Sequence, residues 1–196
     1  MKVEVVVAPP VEPISRADVY AWLRLDTVGS PPSHPNDDLI DMLIASAREQ
    51  VEKDTRRALV EQTIELSCRN FPACLIRPPL IGLVSVSYYD SNNVQQSLSS
   101  DVYYVQQSLV PRLALADGQS WPVVFWREDA VTIRYTVGYE GTGSPIEDYT
   151  ANIPKALKQA CLLRVQIAYD NLKPTDEQQR EMAYKALTDS WRVPVV

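Results

Sequence analysis

Few side chains in this sequence have the type and spacing that chemistry requires. His34 is the sole histidine. It lies in a proline-rich stretch beside Asp37 and Asp38, where a metal ion or a general base would need a second strong ligand or partner, and no such residue is recognisable. A Ser-His-Asp triad would have to be built on His34, and no Gly-x-Ser-x-Gly elbow accompanies it. Gly138, Gly141 and Gly143 follow a strand-like run, as a phosphate cradle would. No Lys-Ser or Lys-Thr pair comes after them, and their spacing matches neither a P-loop nor a dinucleotide fingerprint. The carboxylate pairs Asp37 with Asp38 and Glu128 with Asp129 suit a helix start and a turn as well as an acid and base. Cys68, Cys74 and Cys161 are widely spaced with no CxxC, which argues against a disulfide framework and a zinc site. The residues therefore give no catalytic, cofactor-binding or metal-binding group.

The elements are far more legible than any site. Asp37 to Ser67 opens with Leu39, Ile40, Leu43, Ile44, Ala47 and Val51 at the three- and four-residue spacing of one apolar helix stripe. From Val60 the period becomes two, with Val60, Ile64, Leu66 and Cys68 on one face and Glu61, Thr63, Glu65 and Ser67 on the other. Helices are expected over 16–25, 37–55, 154–171 and 175–190. Ser15 with Asp18, and Thr175 with Gln178, have capping-box spacing, and Pro154 suits a first helical turn. In the last helix Met182, Ala183, Ala186 and Leu187 form the apolar face.

Between 59 and 137 the chain reads as antiparallel sheet. Val84, Val86 and Tyr88 share a face, Asp90 to Asn93 turn the chain, and Val94 to Leu98 return it as a hairpin. Further strands are expected at 102–106, 112–116 and 130–137. Arg77-Pro78-Pro79 reads as a rigid connector, and Thr27 to Pro35 as a loop. The fold class is α+β, a small bundle of about four helices with an inserted antiparallel sheet and hairpin region. Residues 1–14 form an extended N-terminal arm closed by Pro9, Pro10 and Pro13; residues 15–190 form one domain; residues 191–196 form an extended C-terminal tail.

A net charge of −6, with Lys and Arg scattered, argues against a protein that grips nucleic acid. No run is long and apolar enough to span a bilayer, so a soluble, intracellular protein is expected. Trp22, Trp121, Trp126 and Trp191 suit core or interface anchors. Trp191, beside Arg192 and the apolar Val193, Val195 and Val196, lies where little core remains, which marks these five residues as a candidate intersubunit or partner interface.

In order, several segments resemble the head-to-tail connector, or head completion adaptor, family of long-tailed bacteriophages. They are Val19-x-x-Trp22-Leu23-Arg24-Leu25-Asp26, Asp37-Asp38-Leu39-Ile40, Arg56-Arg57-Ala58-Leu59-Val60-Glu61-Gln62-Thr63 and Arg77-Pro78-Pro79-Leu80. Val84-x-Val86-x-Tyr88-Tyr89-Asp90, Trp121-Pro122, Val131-x-Ile133-x-Tyr135-x-Val137-Gly138-Tyr139 and Ile153-Pro154-x-Ala156-Leu157-x-Gln159-Ala160 follow. The likeness runs from Ser15 to Val193, its specificity carried by order and spacing together. It implies a non-enzymatic structural protein of the virion neck, assembled in the bacterial cytoplasm. Such a protein is a monomer or a ring of copies beneath the portal protein, and docks a stopper or tail-joining protein. Double-stranded DNA would pass through without sequence-specific binding, with no membrane partner and no cofactor. A tail terminator or other neck ring component is the near alternative. A packaging-associated hydrolase or nucleotide-binding accessory centred on His34 and the Gly138 loop is the distant one.

Overall fold

The structure, a computed structural model, describes residues 1–71, 74–144, 146–170 and 174–194, without the side chains of Pro174 and Thr175. The order of elements is β1 (Lys2–Val7), α1 (Arg16–Leu23), α2 (Asp37–Thr55), β2 (Gln62–Cys68), β3 (Leu80–Tyr89), β4 (Gln95–Ser97), β5 (Tyr103–Gln106), β6 (Arg112–Leu115), β7 (Val131–Val137), α3 (Lys155–Tyr169) and α4 (Pro174–Asp189). This is an α+β fold with four helices among the described residues. Two compact units divide it: a sheet unit of Met1–Pro10, Glu61–Glu140 and Pro194–Val196, and a helical unit of Val11–Val60 and Gly141–Val193.

In the sheet unit five antiparallel strands run in the order β1-β2-β7-β3-β4, with β5 and β6 paired apart from them. β2 and β7 alternate buried and half-buried residues along their whole length, as a period of two requires when one face is covered. Register sets Ile64 opposite Tyr135 and Leu66 opposite Ile133 on the buried face, and Glu65 opposite Arg134 on the other. Arg134 donates to Glu65 at 2.7 Å, an opposite-charge pair across the strands. Tyr135 is fully buried, and its hydroxyl donates to the Ile76 carbonyl and accepts from the Ile76 amide, both at 3.2 Å.

Two expectations for this unit differ from the structure. Residues 2–7 form a paired edge strand on β2, where an extended arm is expected, and Val3 and Val5 lie opposite Leu66 and Ile64. The register of β1 breaks between Val5 and Val7. Val84 does not share the buried face with Val86: a register shift between Leu83 and Ser85 turns it outward, 57% exposed. The hairpin tip itself is as the sequence indicates. Asp90 accepts from the amides of Asn92 and Val94, while Asn93 takes the left-handed conformation, φ 59°.

In the helical unit α2 buries Ile40, Ile44, Ala47 and Val51, each such side chain stabilising by about 1.5–3 kcal/mol relative to exposure, less for Ala47. Leu39, expected on that stripe, is 41% exposed, because the four buried positions centre the stripe about a hundred degrees away from it. α1 begins on a full capping box, with Ser15 Oγ accepting from the Asp18 amide and the Asp18 carboxylate accepting from the Ser15 amide. α3 buries Leu157, Ala160, Cys161, Leu163 and Val165. Its first residue follows Pro154 directly.

The apolar face assigned to α4 is a correction. Met182 is 64% exposed and Ala183 and Ala186 are exposed, while Tyr184 and Thr188 are the buried residues. Polar satisfaction decides the face. Tyr184 donates its hydroxyl to Asp54 of α2 at 2.7 Å and carries the Arg164 guanidinium over its ring, and Thr188 Oγ1 donates to the Tyr184 carbonyl. The expected Thr175 cap lies outside the described side chains.

Candidate functional site

Most of the residues that sequence spacing offered for chemistry are absorbed by local structure. The His34 amide donates to Asp37 Oδ1, its Nδ1 accepts from the Asn36 amide at 3.1 Å, and its ring tilts against Tyr20. Asp37 also accepts from the Tyr20 hydroxyl and faces Arg16, and these contacts, the tyrosine first, hold its carboxyl below the usual carboxylate range. Glu128 pairs with Arg69 and Asp129 with Arg127, so the two carboxylates face different partners. Burial raises the thiols of Cys68 and Cys161 above the ordinary cysteine value, the reverse of what a nucleophilic thiol needs. Among the described residues no group of three or more His, Cys, Asp or Glu side chains is arranged to hold a metal ion, and no helix is long and apolar enough to cross a membrane.

The glycine loop has a steric explanation. A Cβ on Gly141 would sit 2.5 Å from Ile146 Cγ2 and 2.9 Å from the Asp148 carbonyl, inside the turn closed by the mutual pairing of Thr142 and Asp148. Gly138 adopts φ 116° and Gly143 φ 99°, backbone open to glycine alone among the common residues. Replacing Gly141 by alanine is expected to destabilise the helical unit by about 1–3 kcal/mol. Urea unfolding of the variant checks it, with Gly118→Ala as the contrast: nothing approaches within 4 Å of a Cβ there, although its φ of 74° carries the backbone strain alone.

What remains is surface, and the C-terminal segment is its most defined part. Trp191 is half-buried, Arg192 exposed and Val193 only 4% exposed. Val193 is tied down by its own amide, which donates to the Thr55 carbonyl at the end of α2 at 2.9 Å. Arg56 donates to the Val193 carbonyl at 2.9 Å, and Arg57 to the Trp191 carbonyl at 2.6 Å with its guanidinium over the indole. Arg56 takes the left-handed conformation that ends α2, φ 57°, and that reversal turns the two arginines toward the tail. The segment 191–193 is thus a fixed edge of the helical unit. Val195 and Val196 lie outside the described residues.

The other tryptophans divide. Trp121 stacks on Phe71 with ring centroids 4.4 Å apart, and Trp22 donates to Gln166 at 3.0 Å. Trp126 is 85% exposed beneath the Arg69 guanidinium, in a loop that also exposes Val123 at 78%. Trp121-Pro122-Val123-Val124-Phe125-Trp126 is the densest aromatic run in the chain, and of its two expected anchors only Trp121 finds an aromatic partner among the described residues.

The chain matches no protein-family model and no curated protein. Its fold is similar to solved chains of gene transfer agent particles. One is from "Virion of native gene transfer agent (GTA) particle", 20% identical with a TM-score of 0.74. A second is from the neck of an empty particle computed with C6 symmetry, 20% identical with a TM-score of 0.76. A third is from the neck of a native particle computed with C12 symmetry, 18% identical with a TM-score of 0.70. Each comparison covers 100% of this chain and 97% of the other. At these identities what is shared is the fold.

Proposed function

We propose that this chain is a structural connector of the neck of a phage-like particle, a ring component beneath the portal that extends the DNA channel and docks a stopper or tail-joining protein. The observation that carries the reading is the end-to-end fold likeness to chains of a particle neck, with nearly nothing left over in either chain. Six- and twelve-fold symmetry belongs to those necks; for this chain it supports a cyclic homo-oligomer, which head-to-tail contacts between copies generate. The net charge of −6 suits a channel wall that phosphates pass without sticking. The work of such a protein lies in docking surfaces, and Trp191 to Val196 is assigned to one of them, with the half-buried Trp191 and the exposed Arg192 as the contacts and Val193 as their support.

The test is particle assembly. Cells lacking the chain are expected to accumulate DNA-filled heads without tails, and the intact chain supplied in trans restores joining. A Trp191→Ala, Arg192→Glu double variant, which keeps Val193 in place, is expected to fold and fail to complement. Tailed particles that form normally without the chain would overturn the neck role. Full complementation by the double variant would remove the tail from the docking surfaces.

A further inference from the structure

The helical unit carries opposite charge at the two ends of its longest helix. Asp37 and Asp38 open α2 and Asp41 follows one turn later; Lys53 lies in its last turn, and Arg56 and Arg57 come directly after. The ends are about 28 Å apart at 1.5 Å per residue. The helix macrodipole accounts for Asp37, Asp38 and Lys53. It does not account for Lys185 and Arg192, which come from α4 and the tail and line a cavity of about 440 Å³ that also holds Asp54 of α2, Asp189 of α4 and the paired Arg164 and Glu181. Asp37 and Asp41 pair with Arg16, and Arg56 and Arg57 are held to carbonyls of the tail, which leaves a smaller set uncommitted. Asp38 at one end and Lys53, Lys185 and Arg192 at the other have no ion-pair partner within the chain among the described residues.

Each end also presents apolar surface. On the outer face at the start of α2, Leu39 is 41% and Met42 62% exposed. At the basic end stands the half-buried indole of Trp191, one side under Arg57. A carboxylate-rimmed Leu-Met face and a cation-rimmed tryptophan are complementary in both charge and hydropathy, and one chain carries both.

We infer that the basic end of one copy, with Trp191 as its anchor, receives the outer face at the start of α2 of a second copy, Asp38 meeting Arg192 and Lys185. The two patches differ, so the contact is heterologous and each copy uses both. Such a contact does not stop at two subunits. The inference rests on the ring reading for closure alone: it is tested on the purified chain with no particle present, whereas the neck role is tested by assembly in cells.

The experiment is sedimentation velocity of the full chain over a concentration series at about 50 mM and about 500 mM NaCl, bracketing the range over which exposed charges are screened. Weight-average mass is expected to rise with concentration past the dimer at low salt and to fall back at high salt. Asp38→Lys and Arg192→Glu should each weaken association about tenfold, and the two together in one chain should restore it by exchanging the signs. A chain that stays monomeric throughout at low salt, or that stops at dimer, overturns the inference. So do single variants that associate as the unaltered chain does, or a double variant no better than the singles.

Discussion

Replacing Ile133 by alanine is expected to lower the stability of the sheet unit by about 4 kcal/mol, seen as an earlier urea midpoint at unchanged slope. Ile133 lies at the middle of β7, fully buried, with Leu66 of β2 on one side and Val86 of β3 on the other. Truncation removes three methyl or methylene carbons from a position held by ladders on both flanks, so the strands cannot close in to fill the space. Val84→Ala on the neighbouring strand supplies the comparison. Val84 is turned out by the register shift and 57% exposed, and its loss should stay within about 0.5 kcal/mol. Equal losses at the two positions would mean that the assigned faces of β3 and β7 are wrong.

The second large effect is expected at Glu52, the buried carboxylate of α2. Its Oε1 accepts from the Leu59 amide at 2.9 Å and its Oε2 lies 3.6 Å from Arg48, while Arg48 also donates to Glu12 at 2.8 Å. Glu52 is 7% exposed and Leu59 fully buried, so the pair joins the end of α2 to the segment that leaves it, out of contact with water. Glu52→Ala leaves the Leu59 amide without that acceptor and reduces the charge opposing Arg48, a loss of about 3 kcal/mol. Glu52→Gln keeps an acceptor at the same reach and should lose about half as much. The order of the two variants in urea unfolding is the check: a glutamine that destabilises as strongly as alanine would show that the charge, and not the hydrogen bond to Leu59, holds this corner.

Much of the architecture is legible in the sequence because it is written in local periodicity. α2 begins and ends at the expected residues, and β2 and β7 keep their alternation, since each presents one face to a core and hydropathy reports that directly. What local pattern cannot carry is a partner far away in the chain. The pairing of residues 2–7 with 63–67 is such a case; a Val-rich run followed by prolines reads equally as an arm or as an edge strand. The misassigned face of α4 has a different origin. Met182, Ala183 and Ala186 are the more apolar residues, yet Tyr184 and Thr188 are buried because hydrogen bonds to Asp54 and to the helix backbone satisfy their hydroxyls, which no hydropathy scale records. The C-terminal segment shows both limits. Trp191 and Arg192 stand out by type and position, but the grip of Arg56 and Arg57 on two backbone carbonyls is visible only once α2 has reversed at Arg56.

The irregularity in β1 bears on what the open edge of the sheet offers to other strands. An uninterrupted Val-Val-Val rim on an open sheet is a template on which identical chains stack without limit. The break in register between Val5 and Val7 kinks that rim, and the Lys2–Glu4 pair sets charge at its start. Together they shorten the stretch on which a stray strand could seat. Straightening the rim would trade that restraint for fibres.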